Sequence, residues 1–297
     1  MTTGVLVMAY GTPAGPDDLE AYYTHIRRGR PPSPEQLEDL RRRYRSIGGT
    51  SPLLARTRDQ ADGLALALGD EFLVELGTKH APPFVEDAVD ALAARGVRRA
   101  VGLALAPHYS ALSVGEYAAR ASAAAAGRMA LSVVESWHLA PGYVDLLAGF
   151  VGEAVEEVAP ASPTTVVFTA HSLPSRILGM GDPYPSQLAE TAAAVAQRAG
   201  LAPGSWSVAW QSAGRTPEPW IGPDILEVLR DLAAGGAGGV VVCPAGFTSD
   251  HLEVLYDLDV EARGLADELG IAFARTRSLN AHSRLCAALA DVVRSHV

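Results

Sequence analysis

Met8-Ala9-Tyr10-Gly11-Thr12-Pro13 closes the first apolar run of the chain, and Thr169-Ala170-His171-Ser172-Leu173-Pro174 closes the fifth. Each run leaves its strand through small residues and a proline, which cannot extend a ladder and turns the chain. The third run ends in Ala106-Pro107-His108-Tyr109-Ser110 and the seventh in Cys243-Pro244-Ala245-Gly246-Phe247-Thr248-Ser249, each just before a helical pattern. Working outward from these ends, eight short apolar runs alternate with segments of helical period, the pattern of βα units and a parallel sheet. The expected strands are 5–10, 72–77, 100–106, 131–135, 165–171, 207–211, 240–244 and 271–274. Ser51 as N-cap and Pro52 at the first helical position open a helix to Leu68, and further helices are expected over 84–95, 113–126, 142–158, 185–199, 223–234, 251–269 and 281–295. The matching strand ends imply two similar four-stranded halves facing a common cleft. In open α/β sheets ligands sit beyond the carboxyl ends of the strands, so Tyr10, His108, His171 and the 246–253 segment should converge there.

The composition bounds the function. With 297 residues, 48% hydrophobic and 20% charged, the chain can bury one large core or two smaller ones, and it is not a disordered protein. No run reaches the ~20 apolar residues of a membrane span, and Val5 opens an apolar strand with no basic leader before it. A net charge of −10, from 34 acidic and 24 basic residues, opposes binding to a phosphate backbone, so no nucleic-acid partner is expected. Two cysteines, Cys243 and Cys286, without C-x-x-C spacing, support neither a disulfide framework nor a structural zinc, and suit a reducing compartment. Tyr10-Gly11-Thr12-Pro13-Ala14-Gly15 has neither dinucleotide nor P-loop spacing, and G-x-S-x-G and H-E-x-x-H are absent.

Three constellations remain. In Asp250-His251-Leu252-Glu253-Val254-Leu255-Tyr256-Asp257-Leu258-Asp259-Val260-Glu261, the acids 253, 257 and 261 form one stripe on a 3.6-residue period, with Leu252, Leu255 and Val260 available for burial. Such a stripe suits a solvated helix face, or a divalent cation that relieves the repulsion among its carboxylates. His171 suits a structural histidine, or, beside Glu253, a mixed nitrogen and oxygen site for Fe(II) or Zn that also takes protons near neutral pH. Tyr22-Tyr23-Thr24-His25-Ile26-Arg27-Arg28-Gly29-Arg30 and Arg41-Arg42-Arg43-Tyr44 suit ordinary solvated arginines, or a planar polycarboxylate held by guanidinium forks and tyrosine faces.

With these residues in view, the chain resembles the ferrochelatase family, in particular the coproporphyrin ferrochelatases of monoderm bacteria. The resemblance runs over nearly the whole chain. It is carried by Met8 to Pro13, Tyr23 to Arg30, Ile47-Gly48-Gly49-Thr50-Ser51-Pro52-Leu53, Ala170 to Pro174, Gly181-Asp182-Pro183-Tyr184-Pro185, Trp210-Gln211-Ser212, Thr216-Pro217-Glu218-Pro219-Trp220 and Asp250 to Tyr256. It implies an α/β fold of two Rossmann-like, chelatase-type domains, each a four-stranded parallel sheet flanked by helices, with the active-site cleft between them. The domains are expected at 1–140 and 141–275, with a C-terminal helix in 276–297 packing back on both. It implies a lyase that inserts Fe(II) into a porphyrin and releases two pyrrole protons. His171 and Glu253 fall on the metal-insertion centre, and Asp257 and Glu261 fall on an outer divalent site with Arg43 beside it. Porphyrin contacts fall on Tyr10, Arg27, Arg43, Tyr44, Ser51 and Tyr117, with Tyr10 opposite His171 and able to meet the iron of the product. Tyrosine at 10, where many protoporphyrin-using relatives carry methionine, points to coproporphyrin III and its four propionates. Ferrous iron is then a substrate, no cofactor is tightly bound, and two cysteines cannot hold the iron-sulfur cluster of some relatives. With no extension past Val297, the expectation is a cytoplasmic monomer without a stable membrane anchor, passing its product to a coproheme decarboxylase. The alternatives are a protoporphyrin IX ferrochelatase, another tetrapyrrole metal chelatase using cobalt or nickel, and a non-catalytic tetrapyrrole binder.

Overall fold

The computed structural model describes residues 2–158 and 163–297. The first lobe runs β1 (Thr3–Ala9), α1 (Leu19–Ile26), α2 (Pro34–Ser46), α3 (Leu53–Leu68), β2 (Phe72–Thr78), α4 (Val85–Ala94), β3 (Arg99–Ala104), α5 (Val114–Ala125) and β4 (Ala130–Val134). It is followed by α6 (Pro141–Val158), β5 (Thr164–His171), α7 (Arg176–Gly179), α8 (Tyr184–Arg198), β6 (Trp206–Gln211), α9 (Ile225–Ala234) and β7 (Gly239–Cys243). A π-helix over Val254–Ala262 then continues as α10 (Arg263–Leu269), before β8 (Ala272–Arg275) and α11 (Ser283–Arg294). The eight strands described lie within two residues of their expected positions.

Every strand pairing is parallel, and the two sheets share one topology, β2-β1-β3-β4 and β6-β5-β7-β8. Crossovers from the middle strand therefore run in opposite directions at β1/β3 and at β5/β7, which places a crevice at the carboxyl end of each pair. The central strands are buried on both faces, as a sheet covered by helices on two sides requires. Val5 and Val7 of β1 face one apolar cluster and Leu6 and Met8 face another, the period-two alternation of a strand. The first of these clusters joins the lobes. It runs from Val5, Leu64 and Leu103 through Tyr143 and Leu147 of α6 to Phe168, Val241 and Leu285. The C-terminal α11 packs on α3 of the first lobe and on α6.

Two differences from expectation have clear causes. Helix α3 begins at Leu53, with Pro52 one position before it, and the Ser51 hydroxyl accepts from the Leu53 amide at 3.3 Å. The segment expected as one α-helix over 251–269 opens as the π-helix. Its wider i→i+5 turn rotates the buried face. Val254, Tyr256, Leu258 and Ala262 go inside, Leu252 and Leu255 are half-buried, and Val260, expected inside, is 41% exposed.

Two glycine close approaches shape the strand ends at the crevices. A Cβ at Gly246 would lie 2.4 Å from the Ala170 Cβ, and the Gly246 amide donates to the Thr169 carbonyl at 2.9 Å, which draws the segment after β7 against the end of β5. Gly11, at φ +89°, would place a Cβ 2.6 Å from the Thr78 hydroxyl, so the turn after β1 lies on the end of β2.

Candidate active site

The crevice of the second sheet brings together the two residues that the sequence paired. His171 is the last residue of β5, and Glu253 enters the π-helix that follows β7; His171 Nε2 lies 3.4 Å from Glu253 Oε1. His171 Nδ1 donates to the Ser172 carbonyl, which leaves Nε2 as the nitrogen that faces the carboxylate. The Tyr184 hydroxyl donates to the His171 carbonyl at 3.0 Å, and the Trp220 ring lies 6.3 Å from the imidazole. Gln211 ties the parts together, accepting from the Thr169 hydroxyl at 2.8 Å and donating to the Glu253 carbonyl at 3.3 Å.

Burial alone would depress the His171 imidazolium, but the charge and hydrogen bond of Glu253, with the Ser172 carbonyl, lift it to about 9. Burial alone would raise the Glu253 carboxyl, yet His171 first and His251 next hold it well below the usual range. His251 Nε2 stands 3.5 Å from Glu253 Oε2, its Nδ1 donating to the Ser249 carbonyl at 2.9 Å.

Asp257 lies one turn farther along the π-helix, 6% exposed, accepting from the Ser212 hydroxyl and 3.9 Å from Arg43. Burial, and then the charge of Glu253, push it up to about 7. Glu261 is half-buried farther out and adds to that shift, so the stripe is a graded series from the enclosed pair to the surface. Among the described residues, no three histidine, cysteine, aspartate or glutamate side chains converge as a ready metal cage.

The first lobe supplies the opposite wall. Tyr10 follows β1 and keeps 42% of its surface open, its ring 4.6 Å from that of His80. Enclosure by the cleft raises its phenol well above the ordinary value, and Glu253 adds to the effect, so Tyr10 senses the carboxylate of the other lobe. Tyr44 and Tyr117 are buried, as floor rather than rim. The Tyr44 hydroxyl pairs with Thr12 at 3.1 Å, and burial pushes it up to about 12. The Tyr117 ring carries the Lys79 ammonium 5.5 Å above its centroid, and Lys79 pairs with Glu116. Ser51 stands in the loop before α3.

The arginines separate. Arg27 caps α1, its Nε donating to the Arg30 carbonyl at 3.2 Å and its guanidinium 5.7 Å from the Tyr23 ring centroid; none of these contacts is with the pair. Arg43 is already engaged by Asp39 at 3.2 Å, by Asp257, and by the Tyr256 ring at 5.2 Å. It therefore belongs with the outer acids. His108, expected to line the cleft, is buried instead; its Nε2 meets the Thr191 hydroxyl at 2.9 Å and its ring edge meets Tyr184. His251 and Ser212 stand in segments that the sequence singles out but without a role of their own, and Lys79 and His80 stand outside them. The signal for Lys79 and His80 was available, since both stand just beyond the end of β2, and Ser212 stands just beyond β6 at φ +62°.

The family model described as Ferrochelatase matches residues 2–297. The chain belongs to the ferrochelatase family. Among the relatives of this ferrochelatase-family chain, a coproporphyrin III ferrochelatase of Anoxybacillus flavithermus is 48% identical over 99% of this chain and 96% of its own. Another, of Geobacillus sp., is 45% identical over 99% of this chain and 97% of its own. Among solved structures, SirB from Bacillus subtilis with Fe3+ aligns with 100% of this chain and 96% of its own at TM-score 0.60 and 13% identity. CbiX, the terminal enzyme for siroheme biosynthesis in denitrifying bacteria, aligns with 99% of each chain at TM-score 0.57 and 15% identity. At these identities the likeness is one of fold: the family member has the two-lobed chelatase architecture. No described helix is long and apolar enough to cross a membrane.

Proposed function

We propose that this chain inserts Fe(II) into coproporphyrin III, forming the iron porphyrin and releasing the two pyrrole protons. The observation that carries the reading is the His171–Glu253 pair, 3.4 Å apart at the crevice of the second sheet, in a chain of this family. A porphyrin that exchanges two N–H protons for one divalent cation keeps its charge only if two protons leave, so the site must hold a metal and accept protons in the same place. At neutral pH the pair holds one proton, on His171. Fe(II) arriving between imidazole and carboxylate expels that proton by its charge. The freed Nε2 and the carboxylate of Glu253 are then two acceptors for two pyrrole protons as the ring nitrogens take over the metal. Asp257, pushed up to about 7 by burial and by Glu253, passes the protons outward toward Glu261.

The porphyrin lies between the Tyr10 wall and the pair, with Tyr44 and Tyr117 beneath it and Tyr10 facing the iron of the product. Four propionates need more cationic partners than two, and Arg27 and Ser51 supply contacts at the edge while Arg43 serves the outer acids. Support for coproporphyrin III comes from the relatives of that name, which match the chain from end to end. The test is kcat/KM for coproporphyrin III against protoporphyrin IX without detergent. The reading expects at least about a tenfold preference for the four-propionate ring, the worth of one charge-assisted hydrogen bond. Equal values would move it to a protoporphyrin enzyme, and binding without metal insertion would make the chain a tetrapyrrole carrier.

A further inference from the structure

Tyr10 leaves the end of β1 with an open ring, and the structure holds that ring from one side by a relay of two histidines. His80, just beyond β2, lays its ring 4.6 Å from the Tyr10 ring at 54°, and its amide donates to the Tyr10 carbonyl at 2.9 Å. His80 Nδ1 in turn lies 3.0 Å from His25 Nδ1 of α1. His25 is stacked on Phe84, with ring centroids 5.4 Å apart and 26° between planes. Two nitrogens at this distance share one proton, one ring donating and the other accepting. A second anchor seats the same helix: the Tyr22 hydroxyl donates to the Gly11 carbonyl at 3.0 Å, next to Tyr10 in the chain. The aromatic wall of the cleft is thus tied to α1, and α1 runs directly into the basic loop of Arg27, Arg28 and Arg30.

A spacing of about 3 Å also suits two cis nitrogens on a divalent metal with metal–nitrogen bonds of about 2.1 Å. The surroundings decide against that role. Lys79 and Arg120 both set positive charge at His80, which opposes a cation there, and among the described residues no third histidine, cysteine, aspartate or glutamate joins the two rings.

We propose that His80 and His25 are positioning residues for Tyr10, fixing the angle at which its phenol meets the iron of the metallated ring; this rests on the functional reading above. Without the relay the Tyr10 ring keeps its strand but loses the surface that orients it. Engagement of the iron should suffer more than binding of the free porphyrin.

The experiment loads the full-length wild type and the variants Tyr10→Phe, His80→Ala, His80→Phe, His25→Ala and His25→Asn with preformed ferric coproporphyrin III. It records the phenolate-to-iron charge-transfer band, the rate of release of the iron porphyrin, and the affinity for metal-free coproporphyrin III. His25→Asn keeps a hydrogen-bonding atom near the place of Nδ1. His80→Phe keeps the ring surface, removes the hydrogen bond and serves if His80→Ala does not fold. The expected result is a band in wild type, lost in Tyr10→Phe, reduced to less than about half in His80→Ala and His25→Ala, and largely restored in His25→Asn. Release of the iron porphyrin should quicken about tenfold in the alanine variants, the equivalent of one lost hydrogen bond, with free-porphyrin affinity within about twofold of wild type. Folded alanine variants with the wild-type band, or a wild type with no band, would overturn the proposal. Failure of the wild type to metallate coproporphyrin with Fe(II) would instead overturn the functional reading, so the two failures are distinct.

Discussion

Replacing Glu253 by glutamine keeps the shape of the pair and removes its charge, and the structure sets the size of the effect. At 3.4 Å, a unit charge pair at an effective dielectric constant of about 20 interacts by about 5 kcal/mol. Both side chains remain about one-third exposed to the cleft, where water screens them, so roughly half of that is realised. The result, about 2.5 kcal/mol, corresponds to about two pH units. That is comparable to the rise of His171 from its ordinary value of about 6.5 to about 9, in which burial lowers the imidazolium while Glu253 first, then the Ser172 carbonyl and Asp257, raise it. In Glu253→Gln the imidazole should therefore titrate about two units lower, near the ordinary histidine range, since burial still lowers it while the Ser172 carbonyl and Asp257 still raise it. The assay is kcat/KM for anaerobic metal insertion from pH 6 to 9.5, which reports the free enzyme's essential groups. In wild type the rate should still be rising through about pH 9 as His171 loses its proton. In Glu253→Gln the climb should be centred near pH 7, leading to a plateau lowered by about a hundredfold to ten-thousandfold for the lost proton acceptor. A limb that stays in place in the variant would refute the argument that Glu253 sets the protonation of His171.

Asp257→Asn should change stability with pH in a defined direction. A carboxyl held at about 7 when folded costs stability as pH rises from about 4 through 7, so the variant should gain Tm relative to wild type at pH 8 and not at pH 4; an equal difference at both would contradict the burial of that charge. The same variant should bind divalent metal more weakly by calorimetry. Gly246→Ala would place a Cβ 2.4 Å from the Ala170 Cβ and 2.8 Å from its Cα, so β5 and the segment after β7 must part. A loss of about 1 to 3 kcal/mol in chemical denaturation is expected, along with lower metal insertion, and an unchanged midpoint would show that the approach is slack. Arg27→Ala should reduce the preference for coproporphyrin III over protoporphyrin IX by about tenfold to a hundredfold in kcat/KM, whereas an unchanged ratio would remove Arg27 from propionate binding.

The fold was legible because strand ends carry it. Val5 to Ala9 is apolar on both faces and Val166 to Ala170 is so except for the buried Thr169, and the proline at 13 or 174 stops each soon after its reactive residue. Reading the same feature at 107 and 244 located both crevices, and with them His171 and Glu253. What escaped has physical reasons. The i→i+5 winding of Val254–Ala262 puts Val254, Tyr256, Leu258 and Ala262 inside, and no period in the sequence distinguishes it from an α-helix. The carboxylate series survived that change because Glu253, Asp257 and Glu261 still advance about one turn at a time, whereas Val260 moved to the surface. Burial of Tyr44 and Tyr117 depends on Thr12 and Lys79, which are distant in sequence. His108 occupies a strand end like His171 but meets α8 instead of a cleft, a distinction set wholly by the packing of Thr191 and Tyr184. Lys79 and His80 follow β2, an edge strand whose end also reaches the cleft, so the ends of the central strands do not point to them.

The central claim is that His171 and Glu253 exchange ring protons for iron, and the most direct measurement is anaerobic mixing of the protein with Fe(II) and coproporphyrin III, following the absorbance of the metallated ring. The account predicts catalytic growth of that absorbance with wild type and none above background with His171→Ala, while His171→Ala still binds and retains the fluorescence of the free porphyrin. Turnover by His171→Ala at the wild-type rate would contradict it.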